Sequence, residues 1–129
     1  MTLQVELVSP ERILFSGEAE MVVCRTAGGE IAFLTGHAPF LGALGIGLVR
    51  IHREGGELVR AAVHEGFVEV KDNRVIVLSD VAELPDQIDA ERARRAADDA
   101  ERRLREGDDA EAEARLRRAH ARLELAGGL

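Results

Sequence analysis

The chain has few of the residues on which much protein chemistry depends. Its 129 residues include one cysteine, no tryptophan, no tyrosine, three prolines and four phenylalanines. With Cys24 as the only thiol, an internal disulfide is excluded, and its neighbours Met21, Val22 and Val23 mark a strand-like run in which it reads as a packed side chain. Basic charge is also short. Lys and Arg number 17 against 24 Asp and Glu, a formal charge of −7, so there is no phosphate-neutralising excess to drive nucleic-acid binding.

A membrane helix is excluded on different grounds. Residues 31–49 carry no formal charge with His37 neutral and are about as long as a minimal span, but Pro39 and the glycines at 36, 42, 45 and 47 interrupt them. Lipid would leave that broken backbone unsatisfied, so the segment is expected to be loop plus buried strands. Residues 1–4 show neither the basic start nor the apolar stretch of a secretory signal, which points to the cytoplasm. Catalytic groups are missing too. His37, His52, His64 and His120 have no zinc-ligand spacing, and no nucleophile elbow or phosphate-binding loop is present. The glycines of Gly42-Ala43-Leu44-Gly45-Ile46-Gly47 are in the wrong order for a dinucleotide fingerprint. No catalytic residue and no metal site is therefore expected, and the chain should act by binding.

What is present falls into two halves with different periods. From Thr2 to Leu78 the apolar residues have strand character: Leu3, Val5 and Leu7 alternate with Gln4 and Glu6, and Phe67 and Val68 lead to Val70. Glu54-Gly55-Gly56-Glu57 and Asp72-Asn73 separate neighbouring runs, as tight hairpin turns require. Many short hairpin-linked strands predict an antiparallel β-sandwich over residues 1–84. After Pro85 the period becomes helical. Ala90, Ala93, Ala97, Ala100 and Leu104 recur at steps of three and four, as do Ala112, Leu116, Ala119, Leu123 and Ala126. Between them, Gly107 suits a left-handed residue closing the first helix and Asp108 the N-cap of the second, with Glu111 completing a capping box. Gly127-Gly128 is the expected stop. Residues 85–129 thus form an antiparallel αα-hairpin behind the linker Glu83-Leu84-Pro85-Asp86. Its alanine seam buries little apolar area and its helices are short, so the hairpin is expected to fold conditionally.

Three segments carry a resemblance. Gly28-Gly29-Glu30-Ile31-Ala32-Phe33-Leu34-Thr35-Gly36-His37-Ala38-Pro39, then His64-Glu65-Gly66-Phe67-Val68-Glu69-Val70, then the charged helices together resemble the epsilon subunit of the bacterial F-type ATP synthase. Ala32, Phe33 and Thr35 depart from the family's usual loop. The resemblance implies a rotor component at the cytoplasmic face of the cell membrane, peripheral and without a span of its own. The sandwich would bind the gamma subunit and the c-subunit ring, with Glu30, His37 and Pro39 in the ring-facing loop. A polar-flanked apolar loop suits docking. The hairpin would restrain ATP hydrolysis through contacts of Arg115, Arg117, Arg118 and Arg122 with the catalytic α/β subunits, where opposite charge gives steering and register.

Ile88-Asp89-Ala90-Glu91-Arg92-Ala93 is similar to the motif with which some bacterial epsilon subunits bind ATP. Arg118 and Arg122 resemble the arginine pair that accompanies it, and Glu83 an acidic position before it. Glu83, Ile88, Asp89, Arg92, Ala93, Arg118 and Arg122 are thus the expected ATP-binding set, with ATP as a regulatory ligand and no cofactor required. Forked guanidinium donors suit phosphates, while Asp89 suits either the adenine amine or the N-cap of the first helix. The same arginines also suit plain i,i+4 pairing on a solvated face. Two rival functions stay open at this stage, a stand-alone ATP-sensing module and a ligand-binding sandwich with a self-associating tail.

Overall fold

The computed structural model describes residues 2–127. Eight strands come first: β1 (Leu3–Val8), β2 (Ile13–Ala19), β3 (Met21–Thr26), β4 (Gly29–Leu34), β5 (Phe40–His52), β6 (Leu58–Lys71), β7 (Arg74–Ser79) and β8 (Ala82–Glu83). Helices α1 (Ala90–Glu106) and α2 (Ala110–Leu125) follow. The strand order is β2-β1-β7-β6-β5-β3-β4, with β8 added to β6. Every pairing is antiparallel except β1 with β7, which run parallel.

The longest pairing is β5 with β6, in one register from Phe40↔Val70 to His52↔Leu58. The C-terminal part of β6 also pairs with β7, while residues 50–52 of β5 pair with β3, so this hairpin belongs to both sides of the sandwich. One apolar core results. Alternation aims Leu3, Val5 and Leu7 at Val68, Val70, Val75, Val77 and Phe33, all essentially buried. Cys24 lies in the same core, and burial pushes its thiol pKa up to about 12, so it stays protonated and unreactive.

Shared strands must bend, and β6 does so at Glu65 and Gly66, which hold φ values of 67° and 142°. The bend is clamped by Ser79, whose Oγ lies 2.8 Å from the carbonyl oxygens of both Glu65 and Val81. Gly66 is required by space as well as by φ, since a Cβ there would stand 2.0 Å from the Leu78 carbonyl oxygen. The turn between β6 and β7 is made by Asp72 and Asn73, both at positive φ as a two-residue hairpin turn demands.

The hairpin packs as expected through Ala93, Ala97, Ala119 and Leu123, with Ala90 and Leu116 at the margin. Three details differ from expectation. The N-cap of α2 is Asp109, not Asp108: its Oδ1 accepts from the Ala112 N–H at 3.1 Å. Gly107 takes a positive φ of 151° with ψ 178°, an extended exit in place of the left-handed closure. Ala126 is the exposed C-cap of α2, so it lies off the seam, and Gly128 of the expected stop lies outside the described residues. The second helix also buries a face the stripe did not reveal. Ala121 and Leu125 pack on Leu48 and Ala62 of the sandwich, with Ile46 and Ile88 beside them. Helix α2 is therefore held between α1 and the sheet.

Gly66→Ala should lower the unfolding free energy by roughly 3 kcal/mol, the sum of an unsuited φ and a backbone clash. Gly45→Ala, whose Cβ would meet nothing closer than 3.9 Å, is the control. It should cost less than about 1 kcal/mol in the same chemical denaturation series.

Candidate functional site

The chain leaves the sandwich through Glu83 at the end of β8, turns at Pro85–Gln87, and enters α1 through Asp89. The turn is stiff. Gln87 Oε1 accepts from the Leu84 N–H at 2.8 Å, and the Ile88 N–H donates to the Pro85 carbonyl at 3.3 Å. Asp89 caps α1 through Oδ1, which accepts from the Arg92 N–H at 3.1 Å, so the capping role open at the sequence level is the one seen.

Between this corner and α2 lies a cleft of about 360 Å³, within the range of small-molecule sites. All seven residues of the expected nucleotide set line it: Glu83, Ile88, Asp89, Arg92, Ala93, Arg118 and Arg122. Gln87, Ala96, Asp99 and Arg115 complete the wall. Four arginines thus face three carboxylates, but not all are available. Arg122 Nε donates to Glu83 Oε1 at 2.9 Å, and Arg115 is 3.6 Å from Glu111. Asp99 is held by Arg102 and Arg103 on its own helix. The guanidinium groups of Arg92 and Arg118 have no ion-pair partner among the described residues, and they are the free phosphate-type donors of the cleft.

Glu83 is the junction. Besides Arg122 it meets His64 Nε2 at 2.8 Å, so one carboxylate oxygen joins β6 of the sandwich to α2 of the hairpin. Burial pushes the Glu83 pKa up. The hydrogen bonds from His64 and Arg122, with the charge of Arg122, outweigh it and hold the carboxyl below its ordinary value. His64 is 6 % exposed and its Nδ1 is buried with no hydrogen-bond partner among the described residues. Sequence reasoning gave His64 no role. Alternation along Leu58–His64 sends Val59, Ala61 and Val63 to the core and leaves His64 on the face of Ala62, so no local signal marked it, and its burial follows from what covers that face.

The other expected sites are divided differently. Glu30 and His37 do not lie together. Glu30, on β4, pairs with Arg50 at 2.9 Å, close to α2, whereas His37 follows the far end of that strand. The His37 ring stands edge-on to Phe33 at 4.9 Å and to Phe40 at 6.4 Å, so it packs against aromatic rings. Its loop is tied to the β6–β7 turn by the Gly36 N–H, which donates to Asn73 Oδ1 at 2.7 Å. Pro39 is exposed there. Arg117 is likewise separated from Arg115, Arg118 and Arg122. At about 100° per residue it leaves the face of Arg115, Arg118 and Arg122, and it lines a second cleft with Arg25, Glu30 and Arg50. Among the described residues no group of three His, Cys, Asp or Glu side chains is placed to hold a metal ion, and no helix is long and apolar enough to cross a membrane.

Comparison with known proteins agrees with this architecture. Residues 2–85 match the family model for the ATP synthase delta/epsilon chain β-sandwich domain. The ATP synthase epsilon chain of Streptomyces avermitilis is 47 % identical over 120 residues, covering 93 % of this chain and 97 % of that one. The epsilon chain of Thermobifida fusca is 50 % identical over 128 residues, covering 96 % and 91 %. Among solved structures, one chain of the Euglena gracilis mitochondrial ATP synthase assembly of OSCP, F1 and c-ring superposes over 98 % of this chain and 78 % of its own, with a TM-score of 0.75 at 22 % identity. With the sandwich matched as a unit and identity running on through both helices, the chain belongs to the ATP synthase epsilon chain family.

Proposed function

We propose that this non-catalytic subunit works in the central stalk of a proton-translocating ATP synthase, at the cytoplasmic face of the membrane. The sandwich joins gamma to the c ring, and the hairpin restrains ATP hydrolysis under the control of bound ATP. The observation that carries the regulatory part is the convergence of Glu83, Ile88, Asp89, Arg92, Ala93, Arg118 and Arg122 on one cleft between two helices and the sandwich. A nucleotide there would meet the free Arg92 and Arg118 with its phosphates and supply cohesion that an alanine seam lacks. Occupancy would favour the docked hairpin by its differential affinity for that state. Undocked, α2 would offer Arg115, Arg117, Arg118 and Arg122 to acidic segments of the catalytic subunits.

The rotor contacts have two candidate surfaces. One is an apolar row across the outer sheet: Phe67 (58 % exposed) pairs with Leu78 (50 % exposed), and Leu78 with Val8. Solvated apolar rows of this kind suit a protein partner, here gamma. The other is the end of the sandwich away from the hairpin, where the loop of His37 and Pro39 meets the β6–β7 turn and Leu41 is 70 % exposed. That end is the ring-facing surface. Glu30, paired with Arg50, lines the cleft beside α2 and lies away from this surface.

Calorimetric titration of the full chain with ATP should give saturable binding. Arg92→Ala with Arg118→Ala should weaken it at least about tenfold. No saturable heat at millimolar ATP would remove the nucleotide from the proposal.

For the ring-facing loop, Pro39→Asp with Leu41→Asp should lower coupled ATP synthesis in reconstituted vesicles while leaving the far-UV spectrum of the isolated chain unchanged. Normal coupling in that variant would overturn the assignment of this end to the ring.

The Glu83 junction sets a pH dependence. Because its folded-state pKa is depressed, its contribution is fully present above the ordinary carboxylate pKa of 4.5 and is lost as pH falls through the lower folded value. Glu83→Gln should cost about 1–2 kcal/mol at neutral pH, and the gap to the unmodified chain should narrow as pH falls below the ordinary value of 4.5. Hairpin docking followed by amide exchange of α2 across pH would show it.

A further inference from the structure

The second cleft lies on the other side of α2 from the nucleotide-type cleft. It encloses about 370 Å³ between β3, β4 and β5 and the outward face of the helix. Its base is apolar, formed by Ile46, Leu48 and Ala121. Its charged groups come from both walls. Arg25 and Arg50 belong to the sandwich, Arg117 and His120 to α2, and the last two share a face at i,i+3. Arg50 is already fixed by Glu30 at 2.9 Å. Arg25 and Arg117 have no ion-pair partner among the described residues, although a chain with charge −7 has a surplus of carboxylates to offer.

The backbone makes room for this arrangement. A Cβ on Gly47 would stand 2.9 Å from Arg25 Cδ and 3.2 Å from its Cβ, so only glycine there lets the Arg25 stem lie across β5. Three guanidinium groups face two carboxylates, Glu30 and Glu124, so the cleft is locally positive on an acidic protein. The Glu124 carboxylate has no ion-pair partner among the described residues and stands as an acceptor.

We propose that this cleft is an anion site that takes a small phosphate ester carrying hydroxyl groups. Arg25 and Arg117, from opposite walls, clamp the phosphate oxygens with forked donors. Glu124 accepts from a hydroxyl, and the carbon frame rests on Ile46, Leu48 and Ala121. Such a ligand ties α2 to the sandwich directly, independently of any nucleotide on the other side of the helix.

The test is an amide-resolved NMR titration of the full chain with glycerol 3-phosphate, and separately with inorganic phosphate. Saturable shifts are expected at Arg25, Gly47, Arg117 and His120, with millimolar or tighter affinity for glycerol 3-phosphate. Arg25→Gln and Arg117→Gln should each weaken that binding at least about fivefold, as loss of one charge-assisted contact implies. Arg94→Gln, on the exposed side of α1, controls for net charge and should leave it unchanged. Glu124→Gln should reduce the preference for the ester over inorganic phosphate. The proposal is overturned by shifts confined to Arg92 and Ala93, by no saturation at about 20 mM, or by binding indifferent to both arginine substitutions. Equal affinity for the two probes overturns the assignment of an ester.

Discussion

Little apolar surface holds α2 to the sandwich. Ala121 and Leu125 meet Leu48 and Ala62, with Ile46 and Ile88 at the edges, and the seam with α1 is again mostly alanine. At about 25 cal/mol per Å² such contacts stabilise weakly, so individual polar bonds across the interface matter in proportion. The carboxylate of Glu83, which accepts from His64 on one side and Arg122 on the other, is the polar tie between the two halves. The small side chains of the hairpin leave its docking contacts weak.

The sandwich is built on the opposite principle. Its core is a continuous set of valines, leucines and isoleucines, supplemented by Phe33, with strands long enough to serve both sides. That stability allows strain at one place, the bend of Glu65 and Gly66, and the bend has a consequence for the site. His64 lies just before it on the face of β6 that bears Ala62, where it reaches Glu83, and Ser79 clamps the same corner. The rigid half thus fixes one anchor of the hinge, and the short turn Pro85–Gln87 fixes the direction in which α1 departs.

Helix α2 is consequently flanked by charge on two sides. Arg115, Arg118 and Arg122 face the cleft beneath α1, and Arg117 and His120 face the cleft over β5. Both clefts join α2 to another element, so a ligand bound in either one would act on the docked state. Linkage requires no further machinery than differential affinity between docked and undocked forms.

Periodicity alone separated the strands from the helices, because alternation at Leu3, Val5 and Leu7 and the three-four spacing of Ala93, Ala97 and Ala100 report directly which side is buried. Local chemistry also identified the turn at Asp72 and Asn73 and the cap at Asp89. The nucleotide-type residues were legible as a motif and fell on one cleft. Other features required the third dimension. Asp109 won the cap over Asp108 because chain entry from an extended Gly107 shifted the helix start by one residue. The distance between Glu30 and His37 is set by β4 being a straight strand, where the sequence suggested a loop. The second buried face of α2, the role of His64, and the meeting of Arg25 with Arg117 depend on where the hairpin comes to rest. The sequence by itself determined which faces are apolar and where the chain turns, since those depend on neighbours three or four residues away. Only the tertiary structure decided which charges meet, because contacts between residues as distant as Glu83 and Arg122 are fixed by docking and not by local spacing.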